Sequence, residues 1–134
     1  MQTIQEMLST TPNEPVTGRS ALHECFGPCL ECAAACIACA DACLGEEQVA
    51  MLRRCIRLNE DCADTCETTA RVLSRQVAGD VTFIRARLDT CARICAACGA
   101  ECQRHAALHE HCRICATVCG RCEEQCGKWF GRSR

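Results

Sequence analysis

The chain has 134 residues with 17 acids and 15 bases, a net charge of −2, which is enough for one domain with a short arm and too little for two ordinary domains. The charges are interspersed, and with three Phe, one Trp and no Tyr the chain has neither the basic patch nor the stacking platform of a nucleic-acid binder. Cysteine is the abnormal number: 18 residues, about 13% of the chain and above the level that marks a disulfide or metal scaffold.

The first ten residues, Met1 to Thr10, carry no basic n-region, apolar h-region or twin arginine, so no secretory leader is read there. Ile4, Met7 and Leu8 suit a short amphipathic helical arm, ended by Thr11-Pro-Asn-Glu-Pro15, and arm plus linker take residues 1–19. Ser20 is read as the N-cap of the first long helix, 20–44, with Gly45 as its C′ residue. Gly27-Pro28 falls inside it, where proline removes a helical hydrogen bond, so a bend or a later start is expected. A second helix spans 47–77 and stops at Gly79, and Asp80 caps a third over 81–107. No Gly or Pro separates the third helix from the fourth. The cysteine phase slips there, however, and one helix of about 45 residues is far beyond the usual length, so a turn near 107–110 precedes a fourth helix over 110–130. No apolar run is read as reaching the roughly 20 residues that span a bilayer. The expectation is a cytosolic protein with no membrane segment and with reduced thiols.

The cysteines have a register. Cys25, Cys29, Cys32, Cys36, Cys39 and Cys43 alternate by four and three residues. Cys91, Cys95, Cys98 and Cys102 repeat the alternation, as do Cys112, Cys115, Cys119, Cys122 and Cys126, the phase slipping only between His109 and Cys112. Cys55, Cys62 and Cys66 keep the phase with one position skipped, which Asn59 occupies. A 3-4 alternation is the inward stripe of a helix packed in a bundle. Hydrophobic content is 49%, but the cysteines and 19 alanines supply more than half of it, and only 21 Ile, Leu and Val remain. Sulfur therefore fills the interior that leucine would normally fill. The fold class is all-α, an antiparallel up-down-up-down four-helix bundle with a short N-terminal helical arm.

Antiparallel topology then sorts residues by end. One end gathers Cys39, Cys43, Met51, Cys55, Cys102, His105, His109, His111 and Cys112, with His105 and His109 continuing the third stripe in register. The other carries Leu22, Leu73, Val77, Val81, Ile84, Leu88, Trp129 and Phe130. The bundle reads as a tube closed by apolar side chains at one end and open at an imidazole-lined mouth. His23, near the closed end, reads as a surface residue. Leu52, Ile56, Leu58, Leu73, Ile84 and Leu88 are expected to support the helix packing. Met51 competes with Leu52 for an inward position, and Asn59 is either a weak oxygen ligand or a polar spacer.

Residues three or four apart on one helix face have Cβ atoms about 5–6 Å apart, and a zinc–sulfur bond is about 2.3 Å, so neighbouring thiolates can hold one soft ion. Thiolates select Cu(I), zinc or iron–sulfur clusters. Zinc wants four ligands, usually on a turn, whereas the CxxC pairs here lie within helices; Cu(I) accepts two. Pairing the thiolates gives nine bis-thiolate sites, half the cysteine count, each with one net negative charge in a low-dielectric tube. Bridging thiolates bring the core toward neutrality, so about 9 to 20 Cu(I) ions are expected, nearer the upper figure. A zinc-sequestering, metallothionein-like protein and a copper chaperone with few sites are the alternatives. The ferredoxin spacing ending in Cys-Pro is absent, intrahelical pairs suit disulfides poorly, and no nucleophile elbow or triad order appears, so no enzyme is expected.

Four stripes of CxxC and CxxxC, with the segment His105-Ala-Ala-Leu-His109-Glu-His111, cover residues 25 to 126. In this the chain resembles the copper storage proteins, four-helix bundles with cysteine-lined interiors, and in particular their cytosolic, homotetrameric branch. The resemblance implies that all 18 cysteines are ligands and that Cu(I) enters at the histidine end. It also implies that His105 and His109, with His111 and Met51 as further candidates, guide metal at the mouth; Asn59, where the stripe of the second helix departs from the regular pattern, is a further candidate for metal entry on its own account.

Overall fold

Four helices that each carry one sulfur-lined face can bury all four faces only by closing into a ring. In a computed structural model, which describes residues 2–12 and 14–131 with the side chains of 19–23, 130 and 131 left aside, they do so. A short helix α1 (Gln2–Ser9) precedes α2 (Arg19–Leu44). A single 3₁₀ turn (Val49–Leu52) leads into α3 (Arg53–Leu73), followed by α4 (Val81–His105) and α5 (Glu110–Gly131). Each long helix packs on its neighbour in the chain, and α2 closes the ring on α5. The fold is the antiparallel four-helix bundle with a short helical arm that the cysteine stripes require. All 18 cysteines are buried and free.

Several element ends differ from expectation, each for a local reason. Gly18, with φ 86°, is the N-cap of α2; the side chain of Ser20, the expected cap, lies outside the described residues, as do those of His23, Leu22 and Phe130. Helix α2 runs through Pro28 without starting there. Gly45 ends α2 in right-handed conformation, its N–H reaching the Ala42 carbonyl while the Glu46 N–H reaches that of Cys43, so no left-handed glycine is needed. The helix expected over 47–77 is a 3₁₀ turn followed by α3, which stops at Leu73. Gln76, 3% exposed, turns back there to donate from Nε2 to the Leu73 carbonyl at 3.1 Å. Its Oε1 accepts from the Thr17 backbone N–H at 3.2 Å and from the Thr17 hydroxyl at 3.1 Å, tying the arm's linker to the end of α3. Ala78, not Gly79, takes the positive φ, 57°. Asp80 caps α4 as expected, accepting from the Phe83 N–H at 3.0 Å. The turn between α4 and α5 begins where His105 ends the helix.

Leu73, Ile84 and Leu88 are fully buried at the closed end and Leu52 at the other, with Ile56, Leu58 and Trp129 packed partly buried against the core. Val77, expected among the closing residues, is exposed, because it lies beyond the end of α3. One expectation is corrected outright. Glu24–Leu44 has the length and composition of a membrane-crossing helix. Its apolar character comes from the cysteines and alanines of the α2 stripe, and those cysteines are buried in the bundle.

On this account Leu88→Ala leaves a cavity among the closed-end side chains. The reduced apo-protein should lose about 2–5 kcal/mol in urea unfolding, while the thiol count accessible after unfolding stays at 18.

Candidate metal centre

The stripes converge so closely that sulfurs from different helices are each other's neighbours. Cys32 Sγ lies 3.9 Å from Cys36, 3.8 Å from Cys62, 4.0 Å from Cys95 and 3.7 Å from Cys119. Cys66 and Cys95 are 3.6 Å apart, Cys55 and Cys102 3.7 Å, and Cys29 lies 3.8 Å from both Cys91 and Cys126. With a metal–sulfur bond of about 2.3 Å, such spacings let one ion touch several sulfurs without backbone movement.

The sulfurs form overlapping groups. Cys29, Cys91, Cys122 and Cys126 make one; Cys122 also belongs to a second with Cys32, Cys66 and Cys95. Cys32 recurs in a third with Cys36, Cys62 and Cys119, and Cys36 and Cys119 recur in a fourth with Cys98 and Cys115. Shared members chain these groups along the tube. A thiolate that belongs to two groups can bridge two ions, which lowers the negative charge per ion in the buried column.

Asn59 sits fully buried beside the fourth group. Its Oδ1 accepts from the thiols of Cys115 at 3.1 Å and Cys98 at 3.3 Å. Its Nδ2 donates to the Cys55 carbonyl at 2.8 Å and approaches the sulfurs of Cys55 and Cys102 at 3.4 and 3.6 Å. The skipped position in the α3 stripe is thus occupied by a side chain that satisfies cysteines on α3, α4 and α5 together.

At the mouth the structure orders the histidines in a way the stripe did not. His111 Nδ1 lies 3.5 Å from Cys39 Sγ and 3.6 Å from Cys112 Sγ, and His111 joins Cys39, Cys43 and Cys112 in a fifth group. His109 stacks on His111 with ring centroids 5.5 Å apart. His105 Nε2 is 2.9 Å from Glu101 Oε2. Of the two candidates for the inward position, Leu52 is 1% exposed and Met51 is 65% exposed, so the thioether stands on the outer surface. The 3₁₀ turn decides this, because its tighter winding rotates Met51 away from the face a continuous α-helix would give it.

Two carboxylates that the sequence reading passed over organise this end. Glu101, 6% exposed, is shared by His105, by Arg104 at 3.4 Å and by Arg54 at 3.6 Å. Its signal was present as the i, i+4 pair Glu101 and His105. Glu46 Oε2 meets His111 Nε2 at 2.8 Å and His109 Nδ1 at 3.1 Å. Glu46 lies in a loop with no periodicity, so only the folded chain reveals it. The hydrogen bond from His111 holds the Glu46 carboxyl below the usual carboxylate range.

Burial pushes the mouth thiols up, Cys43 to about 12 and Cys112 to about 11. Deeper in, Cys29, Cys36, Cys66 and Cys95 are raised first by hydrogen bonding with neighbouring sulfurs and then by burial. Cys32 and Cys62 are held low beside Cys119. The column is a proton-sharing network whose protons a thiophilic cation must displace.

Residues 18–131, which hold this column of shared thiols and its histidine end, match the model of the copper storage proteins. The chain belongs to the copper storage protein family. Its fold is similar to that of the copper storage protein Ccsp from Streptomyces lividans loaded with 10 copper equivalents, at 50% identity and a TM-score of 0.92 over 96% of this chain and 98% of that one. A cytosolic copper storage protein from Streptomyces lividans with five coppers gives 54% identity and a TM-score of 0.83 over 84% and 94%. The cysteine-rich protein YhjQ of Bacillus subtilis (strain 168) is 39% identical over 106 residues, 79% of this chain and 80% of the relative.

Two outcomes follow for this member of the family in its apo form. Asn59→Ala leaves buried thiols without their acceptor and should cost about 1–3 kcal/mol in urea unfolding. Because burial raises the Cys43 and Cys112 thiols above their ordinary range in the folded protein, the unfolded chain loses those protons first as pH rises. Stability is therefore retained below about pH 9 and falls as pH climbs toward 11 and 12, and a thermal melt series of the reduced protein across that range should show the decline.

Proposed function

We propose that this protein stores and sequesters Cu(I), that the 18 cysteines are its ligands, and that ions enter at the histidine end. The observation that carries the reading is the sharing of Cys122, Cys32, Cys36 and Cys119 between successive four-sulfur groups. Isolated sites would leave every bis-thiolate ion anionic, whereas shared sulfurs let a soft monovalent ion fill the column near neutrality. His111 serves as the innermost nitrogen ligand, with His105 and His109 outside it. Asn59 acts within the column as a polar spacer, offering Oδ1 to a nearby ion once the thiols of Cys98 and Cys115 give up their protons. Residues 20–130 act as the storage unit and 1–19 as an arm.

Storage in place of catalysis suits a core in which each sulfur is committed to neighbours and none faces a substrate cleft. A cytoplasmic setting, where thiols stay reduced, is consistent with the word used of the Streptomyces relative. Assembly as a homotetramer belongs to the same proposal, on the resemblance to the cytosolic branch. Helix packing by Leu52, Leu73, Ile84 and Leu88 supports a preformed bundle, in which loading would require no folding step, unlike a zinc finger.

Four sulfurs at these spacings would also accept tetrahedral zinc, so stoichiometry decides. Anaerobic titration of the reduced protein with Cu(I) against a chromophoric Cu(I) chelator should show well over nine ions per chain, more than one per thiol pair. Saturation at one to four would point to a chaperone or to zinc as cargo. Far-UV circular dichroism should stay helical throughout; a rise from coil on metal addition would overturn the preformed bundle.

A further inference from the structure

The loop between α2 and the 3₁₀ turn brings Glu46 to the mouth. Glu46 spans from that loop to the start of α5, and one oxygen, Oε2, meets Nδ1 of His109 and Nε2 of His111. A carboxylate is an acceptor only. Each ring nitrogen facing it must therefore carry hydrogen, whatever the charge of the ring. For His111 this puts hydrogen on Nε2 and leaves Nδ1, the atom 3.5 Å from Cys39 Sγ and 3.6 Å from Cys112 Sγ, as its one available donor atom. For His109, whose Nδ1 approaches the same oxygen at 3.1 Å as the weaker of the two contacts, the arrangement favours the reverse: hydrogen on Nδ1 and a free Nε2. An imidazole side chain in water favours the Nε2–H form, so His109 is held in its minor tautomer.

We propose that Glu46 is a positioning residue for copper entry, setting opposite tautomers on His109 and His111 so that the inner ring presents Nδ1 to the thiols of Cys39 and Cys112 while the outer ring presents Nε2. The proposal rests on the reading of this end as the entry point. The carboxylate contributes through the rings it holds, in the way that hydrogen-bonded carboxylates orient histidine ligands elsewhere. The 25° between the two ring planes follows from both rings converging on one oxygen. Glu46 is one-third exposed and lies outside every helix, so its replacement leaves the bundle core untouched.

The test uses full-length, reduced, ¹⁵N-labelled protein. Long-range ¹H–¹⁵N spectra should assign the Nδ1–H form to His109 and the Nε2–H form to His111. Glu46→Ala should return His109 to the Nε2–H form and slow the first phase of Cu(I) uptake from a chelator complex about tenfold, with the number of ions at saturation unchanged. Glu46→Gln keeps an acceptor oxygen but removes the charge; it should retain both tautomers and most of the rate. In a background lacking both rings, His109→Ala with His111→Ala, Glu46→Ala should slow uptake no further. An unchanged His109 tautomer in Glu46→Ala, an unchanged rate, or further slowing in the background lacking both histidines would each overturn the assignment. So would a Glu46→Gln variant that keeps the tautomers yet loads as slowly as Glu46→Ala, since that would mean attraction of the cation by charge. Wild-type saturation at only a few ions would defeat the storage reading instead, and the tautomer spectra would still decide the role of Glu46.

Discussion

The constraint on which this structure depends is that a thiol can stand in for a methyl group in packing and for a ligand in chemistry. Free cysteine behaves as a small hydrophobe with a weak S–H donor. Eighteen of them can therefore be buried without the penalty that as many hydroxyls or amides would bring. The weak polarity that remains is satisfied internally, sulfur against sulfur at 3.6 to 4.0 Å. The same spacing prepares the interior for soft cations. Stability and cargo capacity thus come from one set of side chains, and true aliphatic packing is confined to residues such as Leu52, Leu73, Ile84 and Leu88.

This arrangement has a consequence for how the tube is divided. Along most of its length adjacent sulfur groups share members, so charge can be spread over neighbouring ions. Asn59 is the exception in kind. It is the one amide on the inward stripes, it carries both donor and acceptor, and it engages cysteines on three helices at once. A fourth cysteine in the α3 stripe would have extended the column but left the Cys98 and Cys115 thiols without a strong acceptor. The mouth departs further, with nitrogen in place of sulfur and carboxylates behind the nitrogen. On the proposed entry at this end, hard and borderline donors would stand where ions arrive and soft donors where they stay.

The cysteine register made the helices, their inward faces and the closed ring legible from sequence, because a 3-4 period over several turns has one physical solution. It also placed every thiol on the shared interior and put His105, His109 and His111 at one end. Asp80 as a cap was equally readable, since that choice is made by hydrogen bonds within four residues. The end of α3 was not readable, because Gln76 folds back on Leu73 while also holding Thr17, 59 positions away. Nor was the choice between Met51 and Leu52, which turns on one 3₁₀ turn.

By itself, then, the sequence determined the fold class, the composition of the core and the chemistry of the cargo, for these follow from residue type and period alone. Tertiary structure decided which sulfurs are shared, what Asn59 does, and that His111 rather than His105 reaches the thiols. It also recruited Glu46, whose importance no local pattern announces, and gave Glu101, readable only as an i, i+4 partner of His105, its second role in holding Arg54. These outcomes depend on distances between side chains on different helices and on a loop that crosses the mouth. Such distances are set by how the helices rotate and where each one stops, to within a fraction of a turn, and periodicity does not encode that.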